Sequence, residues 1–372
     1  MALYLGLMSG TSLDGIDAVL VDFGALQGGT IAVRDHRHSD FAAALRSELL
    51  ALNSTGPNEL ERAELAANGM ARAYADAVSG LLAQARLVPA DIVALGAHGQ
   101  TVRHHPGVLD GTGYTTQLLN GALLAELCGI DVVCDLRRRD VAAGGQGAPL
   151  APAFHAAAFG VEGQSRAVLN LGGIANLTRL EGQIGSIGFD CGPASCLLDA
   201  WCERHRGEPF DDRGQWGASG RVNSALLADF LSEPYFALSP PKSTGRDLFH
   251  MAWLERHVAQ ASPRASAVDV QATLAALTVR TVADSVARHA PSARALYVCG
   301  GGARNDALLQ GIARALPGVL VATTARLGVP VDQVEGAAFA WLAMRFRGRQ
   351  AGNLPQVTGA RGPRVLGALY PA

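Results

Sequence analysis

Asp190 is placed to act as a base. It closes a short apolar run (Ile184, Ile187, Phe189) and precedes Gly192–Pro193 and a helical pattern of Leu197, Leu198 and Trp201. Pro193 suits the first position of a helix, where its missing N–H would be unpaired anyway. Asp190 would then sit just before a helix N-terminus, whose partial positive charge favours the ionised carboxylate. Two readings stand open: a catalytic base at a strand–turn–helix junction, or an Asp that caps its own helix. A second carboxylate, Glu335, opens a helical pattern over Glu335–Phe346. His98 belongs to the polar cluster Gly96–Thr101 at the exit of the apolar strand Ile92–Leu95, where α/β sheets gather ligands. His104 and His105 read as loop residues on the surface.

Other residue types suit anions. Ser9, Gly10, Thr11, Ser12, Asp14 and Gly15 lie between the β-prone runs Leu3–Leu7 and Ile16–Val21. Glycines, hydroxyls and backbone N–H groups in such a turn suit phosphate oxygens, although an ordinary hairpin loop would also fit. The P-loop pattern G-x-x-x-x-G-K-[ST] is absent from the chain. The same strand–turn–strand design returns over Ala167–Thr178. Two similar halves, each offering such a turn, would clamp one polyphosphate. Gly300–Gly302 join the strand at Ala295–Cys299 to a helix over Asp306–Leu316, a place for a nucleotide or simply a tight turn. Arg137, Arg138 and Arg139 follow the strand Ile130–Cys134. Their guanidinium forks suit a carboxylate or phosphate, or else form surface ion pairs with Asp135 and Asp140. Of thirty-one basic residues only Lys242 is a lysine, which leaves a dedicated task and chance both open.

The elements that must position these groups are legible in outline. Leu60, Ala63, Ala67, Met70, Tyr74, Val78 and Leu81 predict an amphipathic helix over residues 58–83. Val270, Leu274, Leu277 and Val286 mark a long buried helix, and Asp211–Gly220 reads as a loop with Trp216 as lid or packing anchor. A chain of 372 residues is natural for two domains. With 49% hydrophobic and 17% charged residues it is globular, and a net charge of −2 argues against nucleic-acid and membrane-surface partners. No apolar run reaches membrane-span length. Met1–Gly10 lacks a basic n-region, so no signal peptide is read and a cytoplasmic location is expected. Cys128, Cys134, Cys191, Cys196, Cys202 and Cys299 form no C-x-x-C pair and read as free thiols.

The segments Met8–Asp17, His98–Arg103, Arg137–Asp140 with Gly144–Pro149, Asn170–Asn176, Phe189–Pro193, Pro240–Arg246 and Val298–Gly302 run through nearly the whole chain. In that order they resemble the anhydro-N-acetylmuramic acid kinase family, within the sugar kinase/Hsp70/actin ATPase superfamily. The resemblance implies an α/β fold of two ribonuclease-H-like domains flanking an ATP cleft. The division expected is 1–141, with about 355–372 packing back, and 142–354. Phosphate and nucleotide contacts are implied for Gly10, Thr11, Ser12, Leu13, Asp14, Gly15, Ile16 and Asp17, and for Asn170, Gly172, Gly173, Gly300, Gly301 and Gly302. Asp190 is implied as the catalytic base, with Glu335 helping to orient water. Sugar contacts are implied for His98, Gln100, Arg137, Arg138, Gln146 and Ser195, either arginine meeting the lactyl carboxylate of the substrate. The cofactors implied are ATP and Mg²⁺, the partner a small-molecule sugar, and the assembly a homodimer.

The family substrate is a 1,6-anhydro sugar, so the implied reaction opens the ring with water and phosphorylates O6. A kinase for a free amino sugar and a non-sugar actin-like ATPase are the rivals. His98–Arg103 and Pro240–Arg246 weigh against the second. The sequence departs from the family pattern at Cys191, where Thr is usual, and at Ala194–Ser195, where Gly-Asn is expected. Ser195 offers a hydroxyl in place of the missing Asn.

Overall fold

The computed structural model describes residues 2–10, 13, 15–24, 31–181, 186–245, 247–261 and 264–372. Expectations that fall on Thr11, Ser12, Asp14, Ile184 and Arg246 lie outside the described residues. The chain forms two compact units, Met1–Ala158 with Gln333–Ala372, and Phe159–Asp332.

In the first unit β1 (Leu3–Met8), β2 (Ile16–Asp22) and β3 (Ala32–Ser39) make an antiparallel meander. β4 (Ile92–Ala97) lies parallel to β1, and β7 (Val132–Cys134) parallel to β4. Between them β5 (Gln100–Pro106) and β6 (Gly113–Leu118) pair as a separate hairpin. His104 and His105 therefore stand on a strand rather than a loop, though both are exposed as expected. β1 reads as a continuous apolar run because both its faces are covered. Leu5 and Leu7 share a core with Met70, Tyr74, Val78 and Leu81 of the helix Glu59–Ala85. On the other face the helix Val334–Arg347 lies against β1 and β4.

That contact depends on glycine. A Cβ at Gly6 would stand 1.8 Å from the Gly336 carbonyl oxygen, and one at Gly96 would stand 1.9 Å from that of Phe339. The helix thus belongs to the first unit and brings Glu335 with it. This moves the returning segment from the expected start near 355 back to Gln333. The first stretch also runs past 141 to Ala158: the loop after Asp140 is tied to the C-terminal segment, the Gln146 N–H donating to the Thr358 carbonyl and the Arg361 N–H to the Ala143 carbonyl.

In the second unit β8 (Arg166–Leu171), β9 (Ile174–Leu180) and β10 (Ile187–Pro193) form another antiparallel meander. β11 (Ala295–Cys299) is parallel to β8, and β12 (Leu320–Thr323) is parallel to β11. The order β10-β9-β8-β11-β12 repeats β3-β2-β1-β4-β7 of the first unit. β13 (Ala368–Tyr370) is added antiparallel to β7. A three-stranded meander continued by parallel strands is the ribonuclease-H-like arrangement, so the echo seen in the sequence is a repeat of topology. The helix Ala267–His289 packs Val282 and Val286 against Leu169 and Leu177. Trp216 is half-buried against the neighbouring helical core, which makes it a packing anchor.

Candidate active site

The second sheet aligns the expected groups in one transverse row. Asp190 of β10 is in register with Asn176 of β9, Asn176 with Asn170 of β8, and Asn170 with Cys299 of β11. The Asn176 side-chain amide donates to Asp190 Oδ1 at 2.8 Å, and the Thr244 N–H donates to Oδ2 at 3.0 Å. Gly300 follows at the end of the row with φ 81°, and a Cβ there would lie 2.3 Å from Asn170 Oδ1. Only glycine allows the turn to close over Asn170 in this left-handed conformation. Gly302 rests on Leu171, while Gly301 is exposed with open space around it. Gly172 and Gly173 turn β8 into β9. The Gly173 carbonyl accepts the N–H groups of Ala194 and Cys196, and the Gly172 carbonyl accepts that of Ser195. Asp190, Ser195 and the expected glycines of this unit therefore gather at one end of one sheet.

The local setting of Asp190 differs from the sequence expectation. β10 runs on through Pro193, and the helix starts at Ser195 with Ala194 as an N-cap that makes no side-chain bond. Asp190 is a strand residue and caps nothing. Pro193 misleads because β10 is an edge strand, where a missing N–H is tolerated as well as at a helix start. A register shift between Asp190 and Gly192 takes up Cys191, which is buried. Burial pushes its thiol up to about 12, so Cys191 stays neutral. Burial also raises the pKa of Asp190, opposed by the bonds from Asn176 and Thr244 and by the charge of Lys242. Two backbone bonds fix the residue further: the Tyr235 hydroxyl donates to the Asp190 carbonyl at 2.7 Å, and the Asp190 N–H donates to the Lys242 carbonyl at 3.3 Å. Tyr235 and Thr244 were not expected as site residues. The Pro240–Arg246 motif flagged the neighbourhood of Thr244, and nothing local flags Tyr235.

In the first unit the exits of β1 and β4 are stitched together. The Ser9 hydroxyl donates to the Gly99 carbonyl at 3.1 Å, Gln100 Nε2 donates to the Gly10 carbonyl at 3.2 Å, and the His98 N–H donates to the Leu7 carbonyl at 3.0 Å. Among the described residues Gln100 Oε1 is buried without a hydrogen-bond partner, as an acceptor waiting for a ligand would be. Arg137 donates to His98 Nε2 from Nε at 3.0 Å and from Nη2 at 2.9 Å, and from Nη1 to the Gly147 carbonyl at 2.8 Å. Accepting at Nε2 requires a neutral imidazole protonated at Nδ1. Burial first, then the Arg137 charge, hold the His98 pKa well below its ordinary value. Burial brings Arg137 down to about 10, with Glu335 and Asp140 pulling it back up. His98 and Arg137 thus form one pair, on which the Glu335 charge acts, while Gln100 is held separately by the Gly10 carbonyl.

The neighbouring residues sort differently. Arg138 is exposed, donates to the Thr115 carbonyl at 3.3 Å, and lies 3.7 Å from Asp135, which is the surface ion-pair reading. Asp140 is no surface partner. It is fully buried and accepts from the Gly147 N–H, Asn353 and Thr358. Gln146 is exposed, and its N–H donates to the Thr358 carbonyl. In the first turn the side chains of Leu13 and Ile16 are core residues, so only their main chain could meet a phosphate. Gly15 packs close to His38. Asp17 Oδ1 lies 2.9 Å from His38 Nδ1 and 3.5 Å from His36 Nε2. Burial works against its ionisation, but the two histidines outweigh it and lower its pKa.

A family model described as anhydro-N-acetylmuramic acid kinase matches residues 2–372. The anhydro-N-acetylmuramic acid kinase of Cupriavidus pinatubonensis is 57% identical over 370 residues, covering 99% of this chain and 98% of its own. That of Variovorax paradoxus is 56% identical over 375 residues, covering 100% and 99%. A solved ROK family glucokinase from Streptomyces griseus, in complex with glucose and AMPPNP, is 17% identical with a TM-score of 0.40, covering 92% of this chain and 100% of its own.

Proposed function

Because the chain belongs to the anhydro-N-acetylmuramic acid kinase family, we propose that its second unit supplies the base and a nucleotide-binding turn for ring opening coupled to phosphorylation. The chain is a kinase acting on anhydro-N-acetylmuramic acid in cell-wall recycling. The transverse row Asp190–Asn176–Asn170–Gly300 carries the proposal, because it sets the carboxylate on the edge strand and the glycine turn after β11 on one line across the sheet, about three strand spacings apart.

In this reading Asp190 takes a proton from water as the water attacks C1. Glycoside hydrolysis ordinarily needs a second carboxyl to protonate the leaving oxygen. Here O6 leaves C1 and takes the γ-phosphoryl group of ATP, so no acid is required. Asn176 and Thr244 fix the two carboxylate oxygens of Asp190, so the base meets its water in one orientation. Gly301 and Gly302 and the Gly172–Gly173 turn offer main-chain N–H groups to the phosphates of ATP, the Gly300 N–H being taken by the Val331 carbonyl. Arg137, oriented by His98, meets the lactyl carboxylate, and Glu335, whose charge acts on Arg137, helps to orient water. Mg²⁺ takes oxygen donors, and Asp17, at the start of β2, is the carboxylate that would supply one. When bound there, Mg²⁺ would neutralise phosphate charge. The reading includes a homodimer in the cytoplasm, as the family resemblance implies. Among the described residues no helix is long and apolar enough to cross a membrane.

The test compares two sugars with ATP. The anhydro sugar is expected to give sugar 6-phosphate and ADP, and the ring-opened sugar little or none. Preference for the ring-opened sugar would make the protein a simple sugar kinase instead.

A further inference from the structure

Lys242 is the chain's single lysine, and its surroundings give it a task. Its Nζ sits 4.6 Å from the centre of the Tyr235 ring and donates to the Tyr235 carbonyl at 3.4 Å. Its own carbonyl accepts the Asp190 N–H, while the Tyr235 hydroxyl holds the Asp190 carbonyl. Two residues further on, Thr244 donates to the Asp190 carboxylate. The segment from Tyr235 to Thr244 therefore grips Asp190 at its N–H, its carbonyl and its side chain. The Lys242–Tyr235 contact ties the ends of that grip to each other. An arginine would spread its charge over a plane, whereas an ammonium is a compact charge that fits over one ring and one carbonyl.

We infer that Lys242 is the positioning residue of the base: its ammonium locks the Tyr235–Thr244 segment around Asp190. The inference rests on Asp190 being the base. Other charged and titratable groups surround the ammonium. Cys191 lies on β10, and Asp284, Arg288 and His289 come from the helix Ala267–His289, lining a small cavity with Lys242. Burial lowers the Lys242 pKa, Arg288 lowers it further, and Asp190 raises it. Lys242 in turn lowers that of Asp190 against burial. Losing the ammonium moves the ionisation of the base to higher pH.

Two measurements test this. Lys242→Met is expected to lower kcat/KM by about tenfold, near 1.4 kcal/mol, and to move its acid limb to higher pH. Lys242→Arg, which keeps the charge, should return the limb towards its wild-type position. The second measurement reads Lys242 itself. Reductive methylation with ¹³C-formaldehyde labels this one ε-amine beside the α-amine, and the signal absent from Lys242→Arg identifies it. Replacing Asp190 by Asn should lower the labelled amine's pKa, because the carboxylate that supports its charge is gone. Full activity of Asp190→Asn would overturn the reading underneath. An inactive Asp190→Asn with an unmoved amine titration and an unmoved acid limb in Lys242→Met would overturn the role of Lys242.

Discussion

Asp190→Asn is expected to lower turnover by about a hundredfold or more, as loss of a general base does, while fold and ATP binding survive. The substitution suits the site. Asp190 accepts from two donors, Asn176 Nδ2 and the Thr244 N–H. The new amide keeps one acceptor oxygen for Thr244, and Asn176 can rotate its own amide to present oxygen instead of nitrogen. Stability should not suffer. Burial raises the Asp190 pKa in the folded chain above the usual carboxylate value. A raised carboxylate pKa means that ionised Asp190 costs stability at neutral pH, and a neutral amide removes that cost. The same shift moves the acid limb of kcat/KM to higher pH than an unperturbed Asp would give, activity being full above the limb and lost as pH falls through it. That limb should vanish from the residual rate of Asp190→Asn. Thermal unfolding and a pH profile of both proteins check this. Near-normal turnover in a folded variant would remove Asp190 from the mechanism.

Arg137→Met is expected to lower kcat/KM for the sugar by roughly thirty- to a hundredfold, the scale of a charge-assisted hydrogen bond, with ATP affinity unchanged. Three of the five N–H groups of Arg137 are committed to His98 and Gly147, which leaves the others for a carboxylate. Losing the guanidinium also frees His98 Nε2 and the Gly147 carbonyl, so some of the loss could come from distortion. A sugar analogue without the lactyl carboxylate separates the two effects. Wild type and variant should turn it over at similar rates if Arg137 meets that group. Arg138→Met is the companion, expected to change the rate by less than about fivefold because an exposed ion pair contributes little. A large loss in Arg138→Met with a small one in Arg137→Met would transfer the role to Arg138.

These two residues also show what can be read from the chain. The strands around Ser9–Gly15 and Gly172–Gly173 were legible because their apolar runs and turn residues are local signals. Their likeness foretold that the two sheets share one topology. Asp190 was legible as a carboxylate near glycine turns, but its place in a strand was not, because Pro193 fits an edge strand and a helix start equally well. Arg137 and Arg138 are adjacent in sequence and opposite in environment. His98 and Gly147 close around the first and leave the second exposed. The domain boundary at Gln333 depends on Gly6 and Gly96 meeting Gly336 and Phe339, a contact between segments far apart in the chain. The grip on Asp190 joins main-chain bonds of Lys242 and Thr244, which carry no residue signature, to the Tyr235 hydroxyl and the Lys242 ammonium, and of these the sequence flagged the lone lysine.

The central claim is that Asp190 activates water for attack at C1 while O6 becomes the ester oxygen. Mutagenesis cannot isolate it, because a simple sugar kinase would use the same base on a hydroxyl. Running the anhydro-sugar reaction briefly in ¹⁸O water, with exchange of the free anomeric hydroxyl controlled, locates the oxygen by mass spectrometry. The expected product carries one label at C1 and none in the phosphate ester. Label in the phosphate group with none retained at C1 would contradict the coupled reaction.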